Sequence, residues 1–228
     1  MANDSISAFY ELGFERDRLF GEGEPRLELV RTLELLDRFL PPAPARLIDV
    51  GGGAGAYAAI WARRGYDVHL YDLTDLHVRQ AQQASDAQPQ HPFTAAVADA
   101  CSVPEPDASA DAVVLLGPLY HLTEQTQRDE ALAEAWRILK PGGVVAAVGI
   151  SRFSILLDGL WQGWLSDPLF QGIAERDLAM ASTETLTRFA TPTGSRPPTS
   201  TALKSSWMRS AAPASTLCLC TELKDRAG

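Results

Sequence analysis

The stretch LIDVGGGAGAY, residues 47–57, joins an apolar run to four glycines within five positions. Residues 46–50 predict a short buried strand, and residues 54–65 predict the helix that follows it. Glycines in a strand-to-helix turn allow positive φ angles and let the backbone approach a ligand, while the first N–H groups of the helix favour an anion. Taken alone, the turn is compatible with a bound cofactor, a tight turn or close packing of the helix.

Strands and helices alternate on both sides of this turn. A leucine-rich helix starts near Pro25 and ends at the proline-rich residues 41–44. The further strands are predicted at 67–73, 93–99, 110–119 and 144–150, with helices at 75–85 and 124–140 and one or two amphipathic helices within 154–182. This alternation predicts an α/β fold built on a parallel sheet with right-handed crossovers.

Composition restricts the classes of function. The 228 residues carry a net charge of −9 without a cluster of Lys or Arg, which argues against a nucleic-acid partner. We expect no signal peptide, no membrane span and no metal site, because apolar runs are short and the three cysteines lack the spacing of metal ligands. The simplest compartment is the cytoplasm.

Two acidic residues follow predicted strands at the edge where ligands bind in parallel sheets. Asp72 lies 21 residues after Gly51, where a carboxylate can bind both hydroxyls of a ribose; the alternative is a cap on the next turn. Asp99 ends the third predicted strand and can bond an adenine amino group. Because Gly51-x-Gly53-x-x-Ala56 also satisfies the dinucleotide fingerprint, an NAD(P)-dependent oxidoreductase remains an alternative.

The segments LIDVGGGAGAY, LYDL, VADA, DAVVLLGPLYHL and RILKPGG, in this order and spacing, resemble class I S-adenosylmethionine-dependent methyltransferases. They are most similar to the small-molecule type related to the ubiquinone/menaquinone-biosynthesis enzymes. The resemblance covers roughly residues 5–180. It implies a Rossmann-like, doubly wound, mostly parallel sheet with helices on both faces and a final antiparallel strand. It also implies S-adenosyl-L-methionine as cofactor and a small-molecule methyl acceptor.

The resemblance assigns cofactor contacts by position. Glycines 51, 53 and 55 would flank the methionine and ribose parts of the cofactor. Asp72 would hold the ribose hydroxyls, and Leu73 would lie beside the adenine. Asp99 and Ala100 would contact the adenine edge, and Leu116 and Gly117 would lie under the methionine part. Tyr10 would cover the cofactor, although a core aromatic on a short helix is an equally good interpretation. The full set is Tyr10, Gly51, Gly53, Gly55, Asp72, Leu73, Asp99, Ala100, Leu116 and Gly117.

Methyl transfer needs alignment of the acceptor and exclusion of water, and a base only where the acceptor must lose a proton. His121 is the candidate general base, because it follows the fourth strand and a histidine there can titrate near neutrality. Its alternative is a loop histidine that shapes the pocket. The neighbouring Tyr120 is a candidate for orienting the substrate. Four aromatic residues form either an apolar lid over the acceptor or, as we favour, ordinary helix packing: Phe153, Trp161, Trp164 and Phe170.

The composition divides the chain into three parts: an N-terminal helical cap (1–45), the cofactor-binding domain (46–181) and a low-complexity tail (182–228) that we expect to be poorly ordered. The tail has six Lys/Arg against three Asp/Glu and one candidate strand, TLCLC. Its abrupt start suggests a shifted reading frame or a divergent end. An inactive or truncated protein of the same fold is therefore a further alternative, since loss of the last strands would expose the edge of the fifth strand.

Overall fold

The computed structural model of the protein describes residues 24–151, 153–180 and 215–220. Tyr10 and most of the predicted tail lie outside these ranges. The described helices are α1 Glu24–Leu36, α2 Ala56–Arg63, α3 Asp75–Asp86, α4 Gln125–Ile138, α5 Ser154–Gln162 and α6 Pro168–Met180. The strands are β1 Arg46–Val50, β2 Asp67–Asp72, β3 Thr94–Val97, β4 Ala110–Leu115, β5 Leu139–Ile150 and β6 Ser215–Cys220.

The six strands form one sheet in the order β3-β2-β1-β4-β5-β6. The first five are parallel, and β6 pairs antiparallel with β5, from Val145 opposite Cys220 to Ile150 opposite Ser215. The order reverses between β1 and β4, which is where a doubly wound sheet opens a crevice for a ligand. The predicted fold class is confirmed.

The predicted strands all exist; the first has the predicted ends, and the later ones differ at one or both ends. The third ends at Val97, because Asp99 has left the ladder and forms an isolated bridge with Ser102. The fourth ends at Leu115 and gives way to a short 3₁₀ turn, Pro118–Tyr120. The fifth begins five residues before the predicted Val144, since Leu139 already pairs with Ala110 of β4.

The candidate strand in the tail is also confirmed. Residues 215–220 pair with six residues of β5 and cover the edge that would otherwise be open. An unpaired edge strand is a hazard for aggregation, so this pairing protects β5.

Each face of the sheet carries a hydrophobic core. On one face Trp61 of α2 is fully buried together with Leu47 and Leu70. On the other face Ile138 of α4 packs in the cluster that contains Ile48. Alternate side chains of one strand point to opposite faces, so β1 contributes to both cores while its carboxyl end stays at the crevice.

Candidate functional site

The glycine turn lies at the crevice because it follows β1, one of the two strands between which the strand order reverses. The backbone N–H of Gly51 donates to the carbonyl of Tyr71 at 2.6 Å, which ties the turn to the end of β2. The N–H of Gly55 donates to the Gly52 carbonyl at 3.1 Å and closes the turn. Helix α2 starts directly afterwards at Ala56.

The three glycines that were expected near the cofactor have different surroundings. All have positive φ, at 70° for Gly51, 58° for Gly53 and 84° for Gly55, so each adopts a backbone conformation that disfavours other residues. A Cβ on Gly51 would lie 2.5 Å from Cγ of Pro118, and one on Gly55 would lie 3.0 Å from Cζ of Phe93. A Cβ on Gly53 would meet no atom within 4 Å. Gly53 therefore faces open space.

Asp72 fixes the turn. Its Oδ2 accepts the backbone N–H of Gly53 at 2.9 Å, and its Oδ1 accepts the N–H of Thr74 at 2.9 Å. Nδ1 of His77 lies 3.1 Å from the same Oδ1. The carboxylate thus stabilises the turn before α3, as the capping interpretation expects. Binding of ribose hydroxyls by Asp72 stays a prediction.

Asp49, two residues before the turn, was missed by the sequence analysis. Its side chain is 1% exposed, and within the described residues neither carboxylate oxygen has a hydrogen-bond partner. Burial raises its pKa to about 7, and the negative charge of Asp72 adds to the effect. The available signal was a lone acid inside the apolar run RLIDV, since charged residues are seldom fully buried without a partner.

The expected adenine edge lies in the loop after β3. Asp99 is partly buried, and its Oδ1 accepts the N–H of Cys101 at 2.9 Å. Leu73, which follows β2, is an exposed apolar side chain. Arg137 of α4 holds this loop, because it donates to the carbonyls of Val103 at 3.1 Å and Glu105 at 2.8 Å. Ala100 is partly buried beside the core on the α4 face.

Glu105 anchors the same loop to the sheet through a buried polar cluster. Its carboxylate accepts hydrogen bonds from Arg46 at 2.8 Å and from the Tyr71 hydroxyl at 2.9 Å, and Nδ1 of His69 lies 3.0 Å away. Burial, followed by Glu105, raises the pKa of Tyr71 to about 12. These contacts satisfy the charges internally, so we assign the cluster a structural role.

The segment after β4 contacts the turn from the other side. Tyr120 donates from its hydroxyl to the Leu116 carbonyl at 3.2 Å, which fixes the short turn. A Cβ on Gly117 would lie 3.3 Å from the Gly51 carbonyl, so these backbones approach closely. The rings of Tyr120 and His121 are 4.6 Å apart.

His121 does not titrate as expected. Burial lowers its pKa to about 4; Asp72 opposes this shift and His77 adds to it. The expectation of titration near neutrality was wrong, because desolvation outweighs the nearby carboxylate. The imidazole is neutral at physiological pH, and with so low a pKa it is a weak base. A role as general base stays a prediction.

The four aromatic residues of the expected lid split into two pairs. Trp164 and Phe170 pack edge to face with ring centroids 5.6 Å apart, and Phe170 is buried. Phe153 and Trp161 are 53% and 84% exposed. Ordinary packing therefore explains one pair, and the other remains available for a contact.

Two expected absences concern the described residues alone. Among them no group of three His, Cys, Asp or Glu side chains is placed to hold a metal ion. No helix in the described ranges has both the length and the apolar character required to cross a membrane.

Comparison with known proteins agrees with this geometry. Residues 48–147 match the methyltransferase-domain family. The chain is 30% identical over 165 residues to the ubiquinone/menaquinone biosynthesis C-methyltransferase of Acidiphilium cryptum, covering 71% of this chain and 62% of that protein. It is 28% identical over 154 residues to the tRNA 5-carboxymethoxyuridine methyltransferase of Escherichia coli K12, covering 64% of this chain and 56% of that protein.

Among solved structures, a Haemonchus contortus phosphoethanolamine N-methyltransferase in complex with phosphoethanolamine and S-adenosylhomocysteine matches with a TM-score of 0.55 and 18% identity. The match covers 64% of this chain and 32% of that one, and at this identity it shows the fold alone. The chain spans about three fifths of the two curated relatives described above.

Proposed function

Since residues 48–147 form a methyltransferase domain on the class I fold, we propose that the protein transfers a methyl group from S-adenosylmethionine to a small-molecule acceptor. One observation carries the proposal: a glycine turn with open space at Gly53, flanked by Asp49 and Asp72, lies where the strand order reverses. The relatives described above are named as methyltransferases, which gives no support to the nicotinamide-dependent alternative.

The residues at the turn fit the cofactor. S-adenosylmethionine carries a sulfonium, an amino group and one carboxylate, so it is a net cation. Two acidic residues lie at this end of the sheet, of which Asp49 has both oxygens unpartnered within the described residues. The open side of Gly53 leaves room for a ligand against the backbone. Gly53, Asp72, Asp99 and Ala100 would hold the ribose and adenine parts, and Leu116 and Gly117 would lie against the methionine part.

When bound, the cofactor supplies an activated methyl group on a positive sulfur that departs as a neutral thioether. The residues of this chain align the acceptor and exclude water. Tyr120 and His121 follow Pro118, which lies against Gly51, and are proposed to position the acceptor. His121 is neutral at physiological pH and can accept a hydrogen bond from an acceptor hydroxyl or amine.

A small acceptor is favoured over nucleic acid by charge. The chain has a net charge of −9, and a phosphate backbone needs a basic face. The relatives include both small-molecule and tRNA methyltransferases, so the assay must offer both classes of acceptor.

We also propose that the activity is cytoplasmic, that residues 1–45 form a cap, and that Tyr10 covers the cofactor.

The test is titration calorimetry with S-adenosylmethionine and with NAD, followed by methyl-transfer assays on small O-, N- and C-nucleophiles and on tRNA. Binding of S-adenosylmethionine alone and methylation of a small nucleophile are expected. Binding of NAD in its place would contradict the proposed cofactor. Methylation of tRNA alone would contradict the proposed acceptor class, and binding without transfer to any acceptor would favour the inactive alternative.

A further inference from the structure

We propose that Asp49 carries a proton in the empty site and releases it to solvent when the cationic cofactor binds, so that cofactor affinity depends on pH. The inference rests on the proposed function, because it takes S-adenosylmethionine as the ligand. Asp49 lies under the glycine turn and is distinct from Asp72, the residue proposed to bind the ribose. The proton leaves the Asp49 carboxyl group as the ligand brings positive charge to the crevice.

The geometry isolates the Asp49 side chain. It alternates with Ile48 and shares its face of β1 with Leu47, so it points towards α2. Its strand neighbours are Leu70 of β2 and Val114 of β4, both apolar. The carboxylate lies under the turn, since a Cβ on Gly52 would be 2.6 Å from Asp49 Oδ2.

The titratable side chains of the site do not neutralise Asp49 when the site is empty. Asp72 at the end of β2 is negative and disfavours a second charge. His77 of α3 is turned to Asp72 at 3.1 Å, and His121 after β4 is kept neutral by burial. A buried carboxyl group without a cation or a hydrogen-bond donor is more stable when protonated.

A bound cation reverses this balance. Positive charge near a carboxyl group favours its ionised form, and the effect is strongest away from water. The sulfonium and amino groups of the ligand would supply such charge at the turn, since together they outweigh its single carboxylate. Ligand binding is linked to loss of the Asp49 proton. The affinity for S-adenosylmethionine should therefore rise as pH rises towards the pKa of Asp49 in the ligand-free protein, and level off above it.

The experiment is calorimetry on the full chain in two buffers of different ionisation enthalpy. At about pH 6, binding of S-adenosylmethionine should release a large part of one proton, and at about pH 9 the Asp49 contribution should vanish. The dissociation constant should fall by up to about tenfold per pH unit below the raised pKa. S-adenosylhomocysteine, which lacks the sulfonium charge, should release a smaller fraction.

The variant Asp49→Asn locates the proton. The ligand amino group titrates at about 8, so the difference between wild type and variant is the measured quantity. We expect that difference to account for the release at about pH 6. Equal release in Asp49→Asn, or loss of release in His77→Gln instead, would overturn the inference.

Infrared difference spectra provide a second readout that does not depend on the variant folding. On addition of S-adenosylmethionine to the wild-type protein, the carbonyl band of a protonated carboxylic acid should disappear. Binding without that loss and without proton release would refute the role of Asp49 and leave the proposed function intact. No binding at any pH would overturn both.

Discussion

Oδ2 of Asp72 accepts the backbone N–H of Gly53 at 2.9 Å, across 19 positions of sequence. The other oxygen of Asp72 accepts the N–H of Thr74, two residues further on. One carboxylate therefore sets the glycine turn after β1 and the start of α3 together. The side chain that is proposed to bind ribose also shapes the turn on which the cofactor would lie.

Replacement of this carboxylate should weaken cofactor binding. In Asp72→Asn the amide replaces an acceptor by a donor, so one of the hydrogen bonds to Gly53 and Thr74 is lost. The same exchange removes one acceptor for the ribose hydroxyls, and a hydrogen bond to a charged group contributes about 1.5–3 kcal/mol, which predicts a loss of affinity of about 10- to 100-fold. Titration calorimetry with S-adenosylmethionine measures it.

Asp75→Asn is the matched control for that variant. Asp75 begins α3, three residues after Asp72, and forms an exposed ion pair with Arg79. Such pairs contribute about 0–1 kcal/mol, so cofactor affinity should change by about fivefold or less. Wild-type affinity in Asp72→Asn would remove Asp72 from the cofactor site.

Gly53→Ala separates a role in binding from a role in backbone geometry. Gly53 and Gly142 both have positive φ and open space at the Cβ position. Gly142, however, lies near the start of β5, at the amino ends of the strands and away from the glycine turn. Each alanine should cost about 1–2 kcal/mol of unfolding free energy, measured by urea denaturation. We expect only Gly53→Ala to weaken cofactor binding, by tenfold or more (about 1.4 kcal/mol). Equal binding by the two variants would show that the open side of Gly53 does not face the ligand.

Gly159→Ala should destabilise the contact between α5 and α6. A Cβ at Gly159 would lie 2.1 Å from Cε1 of the buried Phe170, so the ring must move. Overpacking of this kind costs about 1–3 kcal/mol. Gly172→Ala on the exposed side of α6 meets nothing within 4 Å and should stabilise the protein by about 0.5–1 kcal/mol. Urea unfolding of both variants measures the contrast, and equal effects would refute the tight contact.

His121 and Asp49 should affect the pH dependence of stability with opposite signs. The folded pKa of His121 is about 4, below its ordinary 6.5, so between these values the unfolded chain binds more protons and stability rises with pH. The folded pKa of Asp49 is about 7, above its ordinary 3.8, so stability falls as pH rises through that window.

The variants His121→Gln and Asp49→Asn should therefore separate the two contributions. Between about pH 4 and 6.5, His121→Gln should show a weaker rise of unfolding free energy than wild type, by about 1–3 kcal/mol over the window. Asp49→Asn should have a higher unfolding free energy than wild type, and the difference should be largest above about pH 7. Unfolding in urea at a series of pH values checks both slopes. A His121→Gln slope equal to that of wild type would contradict the burial of the imidazole.

The sequence by itself determined the succession of strands and helices along the chain, the position of the glycine turn and the acidic residue that ends β2. These features are local, because hydrophobic alternation and glycine punctuation act over a few neighbouring residues. It also identified the candidate strand that becomes β6. It did not determine the ends of β3 and β4, because Asp99 and Pro118 leave the ladder through contacts made in the folded chain.

Only the tertiary structure decided the electrostatics of the site. Desolvation and the choice of hydrogen-bond partner depend on residues that the sheet brings together from distant positions. That is why Asp49 emerged as a buried acid without a partner among the described residues, and why His121 has a pKa of about 4 instead of a value near neutrality. It is also why Gly53 alone of the three expected glycines faces open space, since Pro118 and Phe93 fill the space beside Gly51 and Gly55.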